Sequence, residues 1–144
     1  MRTRTVARGA AGVILSLVGA GCSDPVTPES LVGVYQATEF TITLNNARTD
    51  LLANGASVTL ELKSGGATAG HFLLPVTPGV TTTAVDDDLT GTYVVNNGIV
   101  RLTQAADTYI KDFLFVAADN QLRASQVIQS ADVSGNLRLV LTRQ

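Results

Sequence analysis

Tryptophan is absent from this 144-residue chain, and cysteine, histidine and methionine occur once each. A lone cysteine excludes an internal disulfide, and a lone histidine excludes a histidine-rich metal centre. Charged residues make up 15% of the chain and the formal net charge is -2, which argues against a nucleic-acid surface. The apolar residues fall in short runs, so the chain as a whole is not membrane-like. What is plentiful is valine and threonine, 35 residues together and about a quarter of the chain, a bias that favours pleated strands over helices. The length fits one domain, since most domains have about 100 to 150 residues.

The N-terminus carries processing information. Arg2, Arg4 and Arg8 precede the uncharged stretch Gly9 to Gly21, whose apolar centre is Val13, Ile14, Leu15, Leu17 and Val18. As a helix these thirteen residues span roughly 20 Å, short of the ~30 Å hydrocarbon core, so a permanent transmembrane anchor is not expected. The stretch ends Leu17-Val18-Gly19-Ala20-Gly21-Cys22, which resembles the lipobox of bacterial lipoproteins, with Gly19 standing where leucine is preferred. The resemblance implies cleavage after Gly21, a thioether from the Cys22 thiol to a diacylglycerol, and Cys22 as the acylated new N-terminus. An ordinary secretory signal cleaved beside a cysteine is the other reading of the same residues. Ser23, where aspartate would mark retention in the inner membrane, implies the outer membrane by the same resemblance. Residues 1–21 are thus read as a signal peptide forming a cleaved helix, 22–30 as a lipidated tether with Pro25 and Pro28, and 31–144 as the working domain.

From Leu31 onward no window sustains a helical period over three turns. Strands are expected at Leu31 to Leu44, Ser57 to Lys63, Ala67 to Leu74, Leu89 to Val95, Ile99 to Gln104, Asp112 to Ala117, Gln121 to Ile128 and Leu137 to Arg143. In Ser57 to Lys63, Val58, Leu60 and Leu62 alternate with Thr59, Glu61 and Lys63, the pattern of a half-buried strand. Asn96-Asn97-Gly98, Asp119-Asn120 and Ser64-Gly65-Gly66 read as hairpin turns, because Asn, Asp and Gly tolerate positive φ. Asn46 to Ala56, with a helical turn at Asp50 to Asn54, Pro75 to Asp88 and Gln129 to Asn136 read as loops. Eight strands at this spacing indicate an all-β antiparallel up-and-down barrel, or failing that a sandwich. One pattern occurs twice, Leu31-Val-Gly33-Val-Tyr35 and Leu89-Thr-Gly91-Thr-Tyr93; glycine beside tyrosine suits a strongly curved strand.

Gly33-Val34-Tyr35 on the first strand, a chain of hairpins and a last strand ending in a basic residue resemble the lipocalin-like domains of bacterial envelope lipoproteins. The resemblance implies a barrel closed at one end by Tyr35 and Arg143, with Tyr35 in place of the tryptophan of lipocalins proper. It also implies a lumen where Tyr35, Phe72, Tyr93, Phe113 and Phe115 line a small apolar or amphipathic ligand. The alternative is a filled core, with the domain working as a structural or interaction module for an envelope protein through the loops Asn45 to Ala56 and Pro75 to Asp88.

Catalysis finds little to build on, and no enzyme, cofactor or metal is expected. His71 has no identifiable serine or cysteine partner, and the only thiol is committed to the lipid. Asp86, Asp87 and Asp88 form the densest charge cluster, but neighbours on an extended segment point in alternate directions, and no glycine-punctuated calcium loop follows. Nothing brings Glu39 and Glu61 together as an acid–base pair. Removing residues 1–21 takes away three of the ten basic residues and no acidic one, so the formal charge falls from -2 to -5. The exported domain is acidic, which speaks further against nucleic acid.

Overall fold

The computed structural model describes residues 25–129 and 134–144; the signal stretch and Cys22 lie outside them. The described residues form ten strands and three short 3-10 turns: β1 (Gly33–Leu44), β2 (Ala47–Asp50), β3 (Ser57–Leu62), β4 (Ala67–Leu74), β5 (Val85–Asp88), β6 (Gly91–Asn96), β7 (Ile99–Gln104), β8 (Leu114–Ala118), β9 (Gln121–Gln129) and β10 (Ser134–Arg143). Neighbours in the sheet follow sequence order, every pairing is antiparallel, and β10 returns to β1, closing an eight-stranded barrel.

Ten strands make eight walls for two reasons. The register of β4 runs unbroken from Leu74↔Val85 on β5 to Ala67↔Thr92 on β6, so β5 and β6 are one wall strand interrupted at Leu89 and Thr90. β2 folds back on the far half of β1 through Asn45 and Asn46, both at positive φ. β1 can serve β3 with its first half and β2 with its second because the register against β10 shifts between Ala37 and Glu39, a bulge that bends the strand. Neither β2 nor β5 was expected as a strand. Ala-Arg-Thr-Asp and Val-Asp-Asp-Asp carry no apolar alternation, and main-chain pairing to an existing strand supplies what side-chain burial does not.

Alternation sends one face of each wall strand inward. Val58, Leu60 and Leu62 are fully buried, as are Leu137, Leu139 and Leu141, and the core continues through Phe40, Ile42, Phe72, Val100, Phe115 and Leu122. Its aromatics meet edge to face, Phe40 on Phe72 at 5.9 Å between ring centres and Phe72 on Tyr109 at 6.5 Å. Phe113 and Phe115 pack at 5.9 Å. Where a helical turn was expected the chain makes a non-helical hydrogen-bonded turn over residues 51–55: the Asp50 carboxylate accepts from the Leu52 and Ala53 amides, and Leu51 turns fully into the core. Among the described residues no helix is long and apolar enough to cross a membrane.

Candidate functional site

The barrel has two unlike ends. At the end where β1 begins and β10 finishes, the connections are the turns Asn97-Gly98 and Asp119-Asn120, all four residues at positive φ, and the short Ser64–Gly66 turn. Tyr35 stands here opposite Arg143 and also pairs with Leu60.

What Tyr35, Tyr93 and Arg143 share is the chain just before the barrel. The Tyr35 hydroxyl donates to the Leu31 carbonyl at 2.8 Å. The Tyr93 hydroxyl lies 3.2 Å from the Pro28 carbonyl and 3.1 Å from that of Lys63, sharing one proton between them. The Arg143 guanidinium donates from Nη1 to the Ser30 carbonyl at 3.2 Å and from Nη2 to that of Val32. A methyl group at Gly33 would sit 2.7 Å from Arg143 Nε, and one at Gly91 would sit 2.1 Å from the Thr103 carbonyl. The two Leu-x-Gly-x-Tyr segments therefore do the same job: each glycine lets a neighbour close in, and each tyrosine reaches the N-terminal segment.

That segment is packed rather than free. Val26 and Leu31 rest on the core, and Thr27 and Ser30 bond each other's side chains and amides. Of the stretch read as a tether, the residues from Val26 onward belong to the barrel end. Burial raises the pKa of Tyr35, a shift that the nearby Arg143 charge opposes; burial and the Glu29 carboxylate raise that of Tyr93. Both phenols stay protonated and able to donate well beyond neutral pH.

Phe72, Phe113 and Phe115 are fully buried, and Tyr35 and Tyr93 are 1% and 4% exposed. All five belong to one core cluster. Four concavities of 160 to 610 Å³ open on the surface among the described residues, and of these five aromatics they are lined by Tyr35 only, in the smallest. The rings named as a ligand lining are thus part of the packed core, Phe113 against Phe115 and Phe72 against Phe40 and Tyr109.

The opposite end carries the long connections and the run Asp86, Asp87 and Asp88. His71 on β4 lies between two residues of β5, with Nε2 2.9 Å from Asp86 Oδ1 and Nδ1 3.5 Å from Asp88 Oδ1. Asp87 points the other way and is half-buried, as the alternation of an extended segment requires. No cluster among the described residues is arranged to hold a metal ion. Glu39 is held outward by Arg48 at 2.7 Å and Arg138 at 2.9 Å, and Glu61 faces Lys63 at 3.6 Å, so the two acids keep separate partners. Sequence reasoning missed the Pro28–Leu31 clasp, for which the repeated Leu-x-Gly-x-Tyr was the available signal. Comparison with known protein families, with curated proteins and with solved structures finds no match.

Proposed function

We propose that this chain is an exported lipoprotein, acylated at Cys22, whose filled β-barrel works at the cell envelope through its outer surface as a structural or interaction module. The observation that carries the choice between a carrier and a module is the interior: the five aromatic side chains that would line a lumen are 0 to 4% exposed and occupy it themselves. A small-molecule carrier instead needs a concavity of roughly 300 to 1,000 Å³ that encloses most of its ligand.

The N-terminal residues support the anchor. The basic start, the short apolar stretch and the small residues before Cys22 fit lipid attachment, and acyl chains hold at about 0.8 kcal/mol per buried methylene without a spanning segment. The clasp at Tyr35, Tyr93 and Arg143 adds a consequence. Ser23, Asp24 and Pro25 are all that separate Cys22 from packed Val26, a reach of at most ~14 Å, so the short-turn end of the barrel sits close over the lipid. The long-loop end then faces away from the membrane.

Replacing Cys22 by serine moves the chain from the membrane to the soluble fraction of fractionated cells. Unchanged partitioning of the Cys22→Ser chain refutes the anchor.

A further inference from the structure

At the end remote from the clasp, two strand edges lack a strand partner among the described residues. Pairing of β6 with β7 stops at Gly91↔Gln104, so among the described residues β5 has β4 as its one strand partner. Pairing of β8 with β9 stops at Val116↔Arg123; beyond it β8 follows β7, through Arg101↔Leu114, and leaves β9. The 3-10 turn Tyr109–Asp112 lies on the β7 side of the interval, packed on β7 with Ile110 buried. From Ser125 to Gln129, β9 is therefore paired on its β10 side, while among the described residues no strand or main-chain hydrogen bond meets its other side.

These two bare edges are treated differently. β5 carries Asp86, Asp87 and Asp88, and charges on an edge discourage another strand from adding to it. The run Ser125-Gln126-Val127-Ile128-Gln129 has no charge, no proline and no glycine, and its Val127 is 65% exposed. Beside it opens a slot made of two adjoining concavities that share Gln126 and Asp112: one of about 610 Å³ against Ser125 and Gln126, walled by Arg101, Lys111 and Leu114, and one of about 480 Å³ against Gln126 to Gln129, walled by Asp107, Thr108 and Tyr109. A strand residue takes up about 4.8 by 3.4 by 10 Å, or ~160 Å³, so the two concavities have room for roughly four and three residues of one extended chain.

We propose that this slot is a strand-acceptor site, in which the free edge of β9 binds a single extended, uncharged polypeptide segment of another protein. Main-chain hydrogen bonds along an exposed edge supply affinity, and the alternating side chains supply selectivity. The occupant is uncharged because the β9 edge is, and because the walls balance: Arg101 and Lys111 against Asp112 and Asp107, the last already paired with Lys111. A second copy of this chain fits poorly, since its β9 brings β10 along toward the wall at Lys111, Asp112 and Leu114. The proposal is independent of the lipid anchor, because it is read on the purified chain rather than by fractionation.

The probe is a blocked peptide with the sequence of Asn136–Thr142 carrying Arg138→Thr, chosen because this segment already pairs with β9 and matches its two faces. Amide exchange of the full chain in detergent, followed by NMR, is expected to slow at least tenfold within Ser125 to Gln129 when the peptide is added. Val127→Lys is expected to weaken binding at least tenfold, while Val127→Thr, uncharged at the same exposed position, retains it. A peptide that also carries Leu139→Pro is expected not to bind. Unchanged exchange, protection at another edge instead, or equal binding by Val127→Lys would each overturn the proposal. Protection that appears in the free chain and grows with its concentration would overturn it in favour of a second copy.

Discussion

One end of this barrel is shut by main-chain geometry and side-chain clasps, and the other is built from long connections that leave strand edges bare. At the first end, tight turns at Asn97-Gly98 and Asp119-Asn120 bring strands together at once, and Tyr35, Tyr93 and Arg143 bind the carbonyls of the N-terminal segment. At the second, residues 75–84 and 105–113 wander between strands, β7 and β8 end early, and Asp86, Asp87 and Asp88 line one edge while Ser125 to Gln129 leave another uncharged. The contrast divides labour along the barrel axis. In the proposed reading the clasped end fixes how the domain meets its lipid anchor, and the open end offers the surface on which another molecule acts.

Both ends nevertheless share one filled interior, and the largest expected effect tests that. Phe72 is fully buried between Phe40 and Tyr109, so Phe72→Ala is expected to lower the unfolding free energy by about 3 to 5 kcal/mol in denaturant titration. A loss below about 1 kcal/mol would mean that the long-loop half encloses space rather than side chains.

At the clasped end, Tyr35→Phe and Tyr93→Phe each remove a hydroxyl from a carbonyl, and each is expected to cost about 1 kcal/mol. They should also speed proteolysis within Val26 to Leu31 while leaving the 105–113 segment as resistant as before. Equal loosening of both ends would abolish the distinction between them.

The same phenols give a pH signature. Burial raises both pKa values above the ordinary 10.0, so the unfolded chain ionises first. Their contribution is fully present below about pH 10 and is lost as pH climbs from there through the raised folded values. The alkaline loss measured by denaturation should shrink in the Tyr35→Phe, Tyr93→Phe double variant.

The smallest effect belongs to the open end. His71, Asp86 and Asp88 are about half to four-fifths exposed, so a double-mutant cycle of His71→Ala with Asp86→Ala is expected to return less than about 1 kcal/mol. A coupling of several kcal/mol would show that β5 is locked in place by its charges.

The clasped end was also the more legible in the sequence. Clean alternation in Val58, Leu60 and Leu62, and turn residues with tolerance for positive φ, announce strands and hairpins because the cause is local. β2 and β5 were illegible because their cause is remote: Val-Asp-Asp-Asp becomes a strand only where β4 presents unpaired main chain. Val26 to Ser30 read as a tether, since the acceptors this stretch offers are carbonyls that every residue has, and only the fold places Tyr35, Tyr93 and Arg143 around the segment. The slot beside β9 depends on where β8 turns away, which no residue type marks.

The claim that an acylated, filled barrel works through its surface is tested most directly by native mass spectrometry of the protein purified from its own envelope. The predicted spectrum contains a chain that begins at Cys22, heavier by a diacylglycerol with or without a further acyl chain, and carries no small molecule bound one to one. A chain without lipid, or one that retains such a molecule stoichiometrically, would contradict it.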